Sequence, residues 1–164
     1  MKEVAENIFV GDEKDYEALT QEQKDDWHIV QACKVPYHKE AVGHKGYACP
    51  KEHPEYLIAR RGNRLILNMI DAPKPEYIPK EIVDAALAHI LDGAIIEGKK
   101  TLIHCNQGHS RSAGLALLFL AKNNYIANGS YEAAAEVFLT LYPDYAPGKG
   151  IEGFLQQNWS EYVS

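Results

Sequence analysis

Short apolar runs bounded by turn-forming residues predict several strands in this chain. Two such runs are Ile8-Phe9-Val10, which Gly11 ends, and Thr101–His104. A third run covers residues 28–35 and is stopped by Pro36, which cannot donate to a strand ladder.

A hairpin is predicted between residues 56 and 70. Its two strands, 56–59 and 65–70, are separated by Arg61-Gly62-Asn63. Glycine and asparagine tolerate the positive φ that a tight turn needs, so the two strands should pair directly.

Apolar residues at three- and four-residue spacing predict the helices. One amphipathic helix begins after Pro79, whose fixed φ suits a first turn, and runs through Leu91. The stretch Ala113–Lys122 is almost wholly apolar, so this helix should lie in the core. Ser130 is expected to cap a further helix, which ends before Pro143.

Three other segments complete the predicted organisation. A last helix covers residues 151–162, a weaker one covers residues 14–23, and residues 37–54 form a long surface loop rich in His, Gly, Lys and Pro. Strands interspersed with helices indicate an α/β fold, in which a central, mostly parallel sheet is flanked by helices. No internal repeat interrupts the chain, so residues 1–164 are predicted to form a single domain.

Composition narrows the classes of function. The chain has 164 residues, 46% of them apolar, and a formal net charge of −6. This charge argues against nucleic acid or an anionic membrane as a partner bound by bulk electrostatics. The acidic N-terminus does not resemble a signal peptide, and three irregularly spaced cysteines do not form a disulfide framework. We expect a soluble, cytoplasmic protein that is not attached to a membrane.

The residues with the clearest chemical potential lie between the strand ending at His104 and the apolar helix. A loop in this position can curl until its backbone N–H groups form an anion-binding nest, and Gly108 permits the curl. Arg111 follows Cys105 by six positions and can grip two phosphate oxygens with its planar fork. The same positive field favours a nucleophilic thiolate at Cys105, and Ser112 can hydrogen-bond the sulfur.

The order His-Cys-x-x-Gly-x-x-Arg-Ser, residues 104–112, is the signature of the protein tyrosine phosphatase superfamily, and Ser112-Ala113 resembles its small dual-specificity members. The resemblance implies hydrolysis of phosphate monoesters through a phosphocysteine on Cys105, with Arg111 and Ser112 as further catalytic residues. It implies that His104 gives structural support. It also implies that the loop binds substrate phosphate through the following residues: Asn106, Gln107, Gly108, His109, Ser110 and Arg111.

The resemblance further implies a general acid on a loop some thirty residues before the cysteine. Asp71, directly before Ala72-Pro73, is the candidate for this role. No metal or organic cofactor is expected, because Arg111 and the backbone supply the positive charge. The chain departs from the family pattern at Gln107, at His109 and at Gly150-Ile151, where relatives often carry Pro-Asn.

Several alternatives stay open at this point. The leading substrates are phosphotyrosine proteins, with phosphoserine and phosphothreonine proteins or small phosphate monoesters beside them. Inositol phosphates, phosphoinositides and RNA 5′-phosphates would use the same chemistry, and a phosphate-binding module would omit turnover. Arsenate reduction and sulfur transfer are further alternatives on a related loop. A zinc site is not predicted, because these metal-capable residues lack a compact zinc spacing: Cys33, His38, His44, Cys49 and His53.

Overall fold

Six strands form one mixed sheet in the computed structural model, which describes residues 1–46 and 48–164. The strands are β1 (Lys2–Ala5), β2 (Ile8–Gly11), β3 (His28–Gln31), β4 (Ile58–Arg61), β5 (Arg64–Leu67) and β6 (Thr101–His104). Their spatial order is β1-β2-β6-β3-β5-β4. The inner pairings β2–β6, β6–β3 and β3–β5 are parallel, whereas β1 and β4 pair antiparallel at the two edges. The predicted α/β fold with a mostly parallel sheet is confirmed.

Seven α-helices accompany the sheet within the described residues. They are α1 (Glu13–Glu17), α2 (Gln21–Asp26), α3 (Lys39–Val42), α4 (Lys80–Ile90), α5 (Arg111–Lys122), α6 (Tyr131–Leu141) and α7 (Lys149–Tyr162). Single turns of other helical type cover Lys34–His38, Pro75–Tyr77 and Leu91–Ile96. The Ser130 hydroxyl accepts a hydrogen bond from the Ala133 N–H and caps α6, as predicted.

The loop from Cys105 to Ser110 connects two deeply buried elements, β6 and α5. Every residue of β6 is buried, and so is every residue of α5 before Lys122. β6 lies between β2 and β3, and its residues Leu102 and Ile103 are fully buried. The loop that begins at Cys105 therefore starts from the centre of the sheet, at the carboxyl ends of three parallel strands, where α/β folds commonly bind ligands.

Three predicted segments differ from the structure. Residues 14–23 are not one helix, because Thr20 starts a second capping box after α1 ends. The strand predicted over residues 28–35 ends at Gln31, where its pairing with β6 and β5 stops. The predicted loop 37–54 contains helical structure, including α3, and the His38 Nε2 atom bonds the Glu55 carbonyl. Tyr47 of this segment lies outside the described residues.

The hairpin and the helix after Pro79 are confirmed with small shifts of their ends. β4 and β5 are joined through Gly62, whose φ is +59°. Among residues 1–46 and 48–164, no helix is long and apolar enough to span a lipid bilayer.

Candidate active site

The Cys105 sulfur lies at the bottom of the loop and is surrounded by hydrogen-bond donors. Its Sγ is 3.2 Å from the Gly108 backbone nitrogen and 3.2 Å from the Ser112 hydroxyl. Ser112 can also donate to the Gly11 carbonyl, at 3.3 Å. Cys105 is 1% exposed, so the sulfur can be reached only through the loop itself. Donors directed at a sulfur favour its anionic form, which is the nucleophile.

The loop backbone presents a row of unused donors. These backbone N–H groups make no hydrogen bond with any described residue: Asn106, Gln107, His109, Ser110 and Arg111. The N-terminus of α5 has no side-chain cap either, so its positive end also faces the loop. Buried or half-buried N–H groups without partners are rare, and their convergence in one loop indicates an anion-binding nest.

Contacts from outside hold the loop in this curled form. Gly108 has φ +82°, and a Cβ there would stand 3.0 Å from the Gly11 carbonyl, so only glycine fits. The Tyr142 hydroxyl donates to the Gly108 carbonyl at 2.7 Å, and the Ala146 N–H donates to the His109 carbonyl at 2.9 Å. The segment after α6 thus keeps two loop carbonyls turned outward, which leaves the N–H groups for a ligand.

Backbone carbonyls hold the Arg111 side chain in place, and its guanidinium group keeps an N–H donor that is not used. One terminal nitrogen, Nη1, donates to Ala32 and Met69 carbonyls, both at 3.0 Å, and Nη2 donates to Asn106 Oδ1 at 2.9 Å. The Nε atom is buried and has no hydrogen-bond partner among the described residues. A buried guanidinium nitrogen without a partner costs free energy until an anion binds it. The arginine is therefore held in place and prepared for an oxyanion.

Asp71 lies beside the same loop, as predicted. Its Oδ1 accepts a hydrogen bond of 2.7 Å from the Ser110 hydroxyl, which in turn accepts one of 2.8 Å from the Gly148 N–H. Oδ2 makes no hydrogen bond with the described residues, and the side chain is exposed. This orientation leaves one carboxyl oxygen to exchange a proton with a bound group.

The Asn106 side chain has a structural role that its position in the loop did not reveal. Its amide nitrogen donates to Glu13 Oε2 at 3.0 Å and to the Val35 carbonyl at 2.9 Å, while its oxygen accepts from Arg111. The side chain therefore joins the loop to α1 and to the segment after β3. Of Asn106, the backbone N–H is the part available to a phosphate.

A cavity of about 470 Å³ opens above the loop. Its lining joins the loop to the Asp71 segment and to the segment after β3, through the following residues: Lys34, Val35, Lys39, Ile70, Asp71, Asn106 and Arg111. Of the predicted catalytic residues, Asp71 and Arg111 line this cavity, whereas Cys105 and Ser112 are buried in the loop and hydrogen-bonded to each other.

His104 is a buried, neutral histidine that supports the loop. Burial lowers the pKa of His104 to about 4, so the ring carries no charge near neutral pH. Its Nδ1 is 3.2 Å from the Cys105 carbonyl, and its Nε2 is 3.0 Å from the Gln31 amide nitrogen. The ring also stacks on Tyr16 at 5.0 Å. This placement agrees with a role in orienting the cysteine rather than in proton transfer.

The histidine belongs to a buried polar chain of Arg64, Gln31, His104 and the Cys105 carbonyl. Arg64 Nη1 donates to Gln31 Oε1 at 3.0 Å. Since arginine can only donate, the Gln31 oxygen must face Arg64 and its NH₂ group must face His104. The His104 Nε2 atom is then a hydrogen-bond acceptor. The ring proton lies on Nδ1, which donates a hydrogen bond to the Cys105 carbonyl.

The sequence did not reveal two residues of this polar chain, Gln31 and Arg64. Arg64, at the start of β5, donates a hydrogen bond to the fully buried Gln31 at the end of β3. Arg61 instead pairs with Glu55 through two hydrogen bonds of 2.7 and 2.9 Å. A glutamine at the end of a buried strand was the available signal, because a buried amide needs polar partners.

The metal-capable residues of the 33–53 segment do not assemble. Cys33 is buried with its Sγ 3.9 Å from His104 Nδ1, and burial raises the pKa of its thiol. His38 is tied to the Glu55 carbonyl. Within residues 1–46 and 48–164, no group of three or more His, Cys, Asp or Glu side chains is arranged to hold a metal ion.

The site thus combines a sheet with a parallel centre, a cysteine at the carboxyl end of a central strand and a row of unpaired N–H groups followed by an arginine. Solved structures of phosphatases have folds similar to that of this chain over nearly its whole length. DUSP15 has a TM-score of 0.67 and 17% identity, and the match covers 97% of this chain and 86% of DUSP15. The PTP-2 phosphatase of Cydia pomonella has a TM-score of 0.66 and 20% identity, with 96% and 88% covered.

Human DUSP28 has a TM-score of 0.65 and 18% identity, with 98% of this chain and 96% of that chain covered. No family model matches the sequence, and no curated protein does. The resemblance to small dual-specificity phosphatases, first inferred from residues 104–112, is therefore confirmed for the fold.

Proposed function

We propose that this protein is a cysteine-dependent phosphatase of the dual-specificity type, which hydrolyses phosphate monoesters on proteins. One observation carries the proposal. Among the described residues, the loop that begins at Cys105 has five backbone N–H groups without partners, and the buried Nε of Arg111 in the same loop also lacks one. A phosphate dianion would satisfy all these donors at once, with its phosphorus directed towards the sulfur.

The first step is phosphoryl transfer to the enzyme. The Cys105 thiolate attacks phosphorus in line with the departing ester oxygen, so an S–P bond forms while the O–P bond breaks. Arg111 and the loop N–H groups stabilise the three equatorial oxygens, which carry the charge of the transition state. Asp71 donates a proton to the leaving oxygen through its unbonded Oδ2, and the alcohol or phenol departs.

The second step hydrolyses the phosphocysteine. The carboxylate of Asp71 now accepts a proton from a water molecule, whose oxygen attacks phosphorus as the S–P bond breaks. The sulfur leaves as a thiolate that accepts hydrogen bonds from Ser112 and from the Gly108 N–H. Inorganic phosphate is released, and Cys105 and Asp71 return to their starting protonation states.

The substrate assignment rests on the shape and charge of the cavity above the loop. At about 470 Å³ it has room for a phosphorylated side chain with its neighbouring residues. The side chains of Asn106, Gln107 and His109 add no fixed charge to the loop itself, so the loop offers a place for one phosphate group. We therefore place phosphotyrosine proteins first, with phosphoserine and phosphothreonine proteins as further substrates.

Hydrolysis of p-nitrophenyl phosphate with EDTA present, by the wild-type protein and by Cys105→Ser, tests the reaction class. We expect the wild-type protein to hydrolyse the substrate and vanadate to inhibit this hydrolysis. Cys105→Ser should have no turnover but should still bind phosphate. Persistent turnover in Cys105→Ser would refute the cysteine mechanism. A folded, fully reduced wild-type protein without turnover from mildly acidic to neutral pH would point instead to a phosphate-binding module.

Asp71→Asn tests the general acid. Because p-nitrophenol leaves without protonation more easily than tyrosine, the variant should lose much more activity on phosphopeptides than on p-nitrophenyl phosphate. A loss of about 10²- to 10⁴-fold is expected for the peptides, the usual range for general acid catalysis. Full activity on phosphopeptides would show that Asp71 is not the acid.

A further inference from the structure

The wall of the cavity opposite Asp71 has a chemistry that phosphate monoester hydrolysis does not require. It is formed by Lys34, Val35 and Lys39, which follow β3 and face the same space as Arg111. Two lysines and one arginine thus line a cavity with a single carboxylate, Asp71, in a protein whose net charge is −6. This local excess of positive charge runs against the charge of the whole molecule.

Backbone contacts hold this wall against the loop. The Lys34 N–H donates to the Met69 carbonyl at 3.0 Å, and the Met69 carbonyl also binds Arg111. The Asn106 amide donates to the Val35 carbonyl at 2.9 Å. The lysines are therefore carried on a segment whose position is tied to the phosphate-binding groups, and their charges have a defined place relative to a bound phosphate.

Lys39 has a charge without a counterpart. Its ammonium group forms no ion pair or hydrogen bond with any residue among 1–46 and 48–164. Other lysines of the chain, such as Lys24, Lys80 and Lys99, pair with carboxylates. An unpaired cation at the edge of an anion-binding cavity is placed to meet a second negative group of the ligand.

Two apolar side chains line the same cavity as these charges. Val35 is 56% exposed and Ile70 is 45% exposed, and both belong to the small set of exposed large apolar residues in the described chain. Exposed apolar surface inside a cavity favours contact with an apolar part of a ligand, such as a phenyl ring or a methyl group. The cavity therefore offers apolar surface as well as positive charge to a ligand.

We propose that Lys39, together with Lys34, forms a subsite for a second anionic group of the substrate, next to the phosphorylated residue whose side chain Val35 and Ile70 contact. The group is a carboxylate or a second phosphate, so the preferred substrates are phosphopeptides with acidic or phosphorylated neighbours. This inference rests on the proposed phosphatase function of the same cavity.

The test compares three phosphotyrosine peptides of equal length. In one the residues flanking phosphotyrosine are glutamate, in the second they are alanine, and in the third one flanking residue is phosphoserine. The measured quantity is the ratio of kcat/KM for each anionic peptide to kcat/KM for the alanine peptide. We expect the wild-type ratios to exceed one, and Lys39→Glu to lower them about fivefold or more, as reversal of a screened surface pair of about 1 kcal/mol implies.

Lys99→Glu is the matched control. It makes the same change of net charge near the start of β6, at the end of the sheet away from the loop, and should leave both ratios unchanged. Lys39→Gln should give an intermediate loss, which guards against a folding defect in the charge-reversed variant. The ratios should also fall as salt is added, because screening weakens exposed pairs.

The outcomes separate this inference from the proposed function. If the alanine peptide and p-nitrophenyl phosphate are hydrolysed in a Cys105-dependent manner but the ratios are near one, the subsite does not exist although the phosphatase does. Ratios that Lys39→Glu and Lys99→Glu lower equally would also overturn it, since a bulk charge effect would then suffice. Selectivity for the glutamate peptide alone, or for the phosphoserine peptide alone, would identify the anionic group that the subsite binds.

Discussion

The neutral, buried His104 makes the stability of this protein depend on pH. A histidine in the unfolded chain has a pKa near 6.5, whereas burial in the folded protein lowers the pKa of His104 to about 4. Between these values the unfolded chain binds a proton that the folded protein does not, so acid favours unfolding. Stability should therefore fall as pH decreases from about 6.5 towards 4 and stay level above 6.5. For His104 the loss between pH 7.5 and pH 4.5 amounts to about 2–3 kcal/mol, from the size of the shift.

Urea unfolding of wild type and His104→Asn at several pH values isolates this contribution. The asparagine amide can still donate to the Cys105 carbonyl, but it does not titrate. His38 and His89 also have lowered pKa values through burial, yet they contribute equally to both proteins. The cost of His104→Asn should thus be largest at pH 7.5 and shrink by about 2–3 kcal/mol at pH 4.5. A cost that is the same at both pH values would refute the reasoning.

Three further substitutions probe the supports of the site. Ser110→Ala removes the hydrogen bond of 2.7 Å to Asp71 and should lower kcat on phosphopeptides more than on p-nitrophenyl phosphate, which parallel assays would show. Gly150→Ala places a Cβ against the Ala72 carbonyl, and the forced shift should cost about 1–3 kcal/mol in urea unfolding, whereas Gly129→Ala, with open space around it, should cost much less. Gln31→Leu leaves buried polar partners unpaired and should cost about 1–3 kcal/mol with a reduced kcat/KM; unchanged stability would show that the buried polar chain contributes little.

Much of the fold could be predicted from local patterns in the sequence. The apolar run before Cys105, the hairpin around Gly62 and the buried helix after Arg111 were all predicted, because each depends on periodicity or turn chemistry within a few residues. The signature loop likewise identified its own chemistry. The division of residues 14–23 into two helices was missed, because a cap at Thr20 is a weak signal beside continuous polar residues.

The supports of the site could not be predicted, because most of them are backbone groups or pairs distant in sequence. The carbonyls of Ala32 and Met69, which anchor Arg111, have no signature in the residue types. Gln31 and Arg64 meet only because β3 and β5 pair in parallel. Such contacts follow from the topology of the sheet, and the topology follows from the whole chain rather than from any segment.

Cys105 and Asp71, the proposed nucleophile and general acid, are held in place by different contacts, and this difference has a kinetic consequence. Cys105 is buried in the core, whereas Asp71 is exposed and, within the described part of the chain, its carboxylate is held by one hydrogen bond, from Ser110. That hydroxyl is oriented in turn by the Gly148 N–H, directly before α7 begins at Lys149. Changes at the start of α7 should therefore act on proton transfer to the leaving group and leave the attack of the thiolate largely intact. Hydrolysis of substrates with poor leaving groups should therefore be more sensitive to changes in this part of the chain than hydrolysis of substrates with good leaving groups.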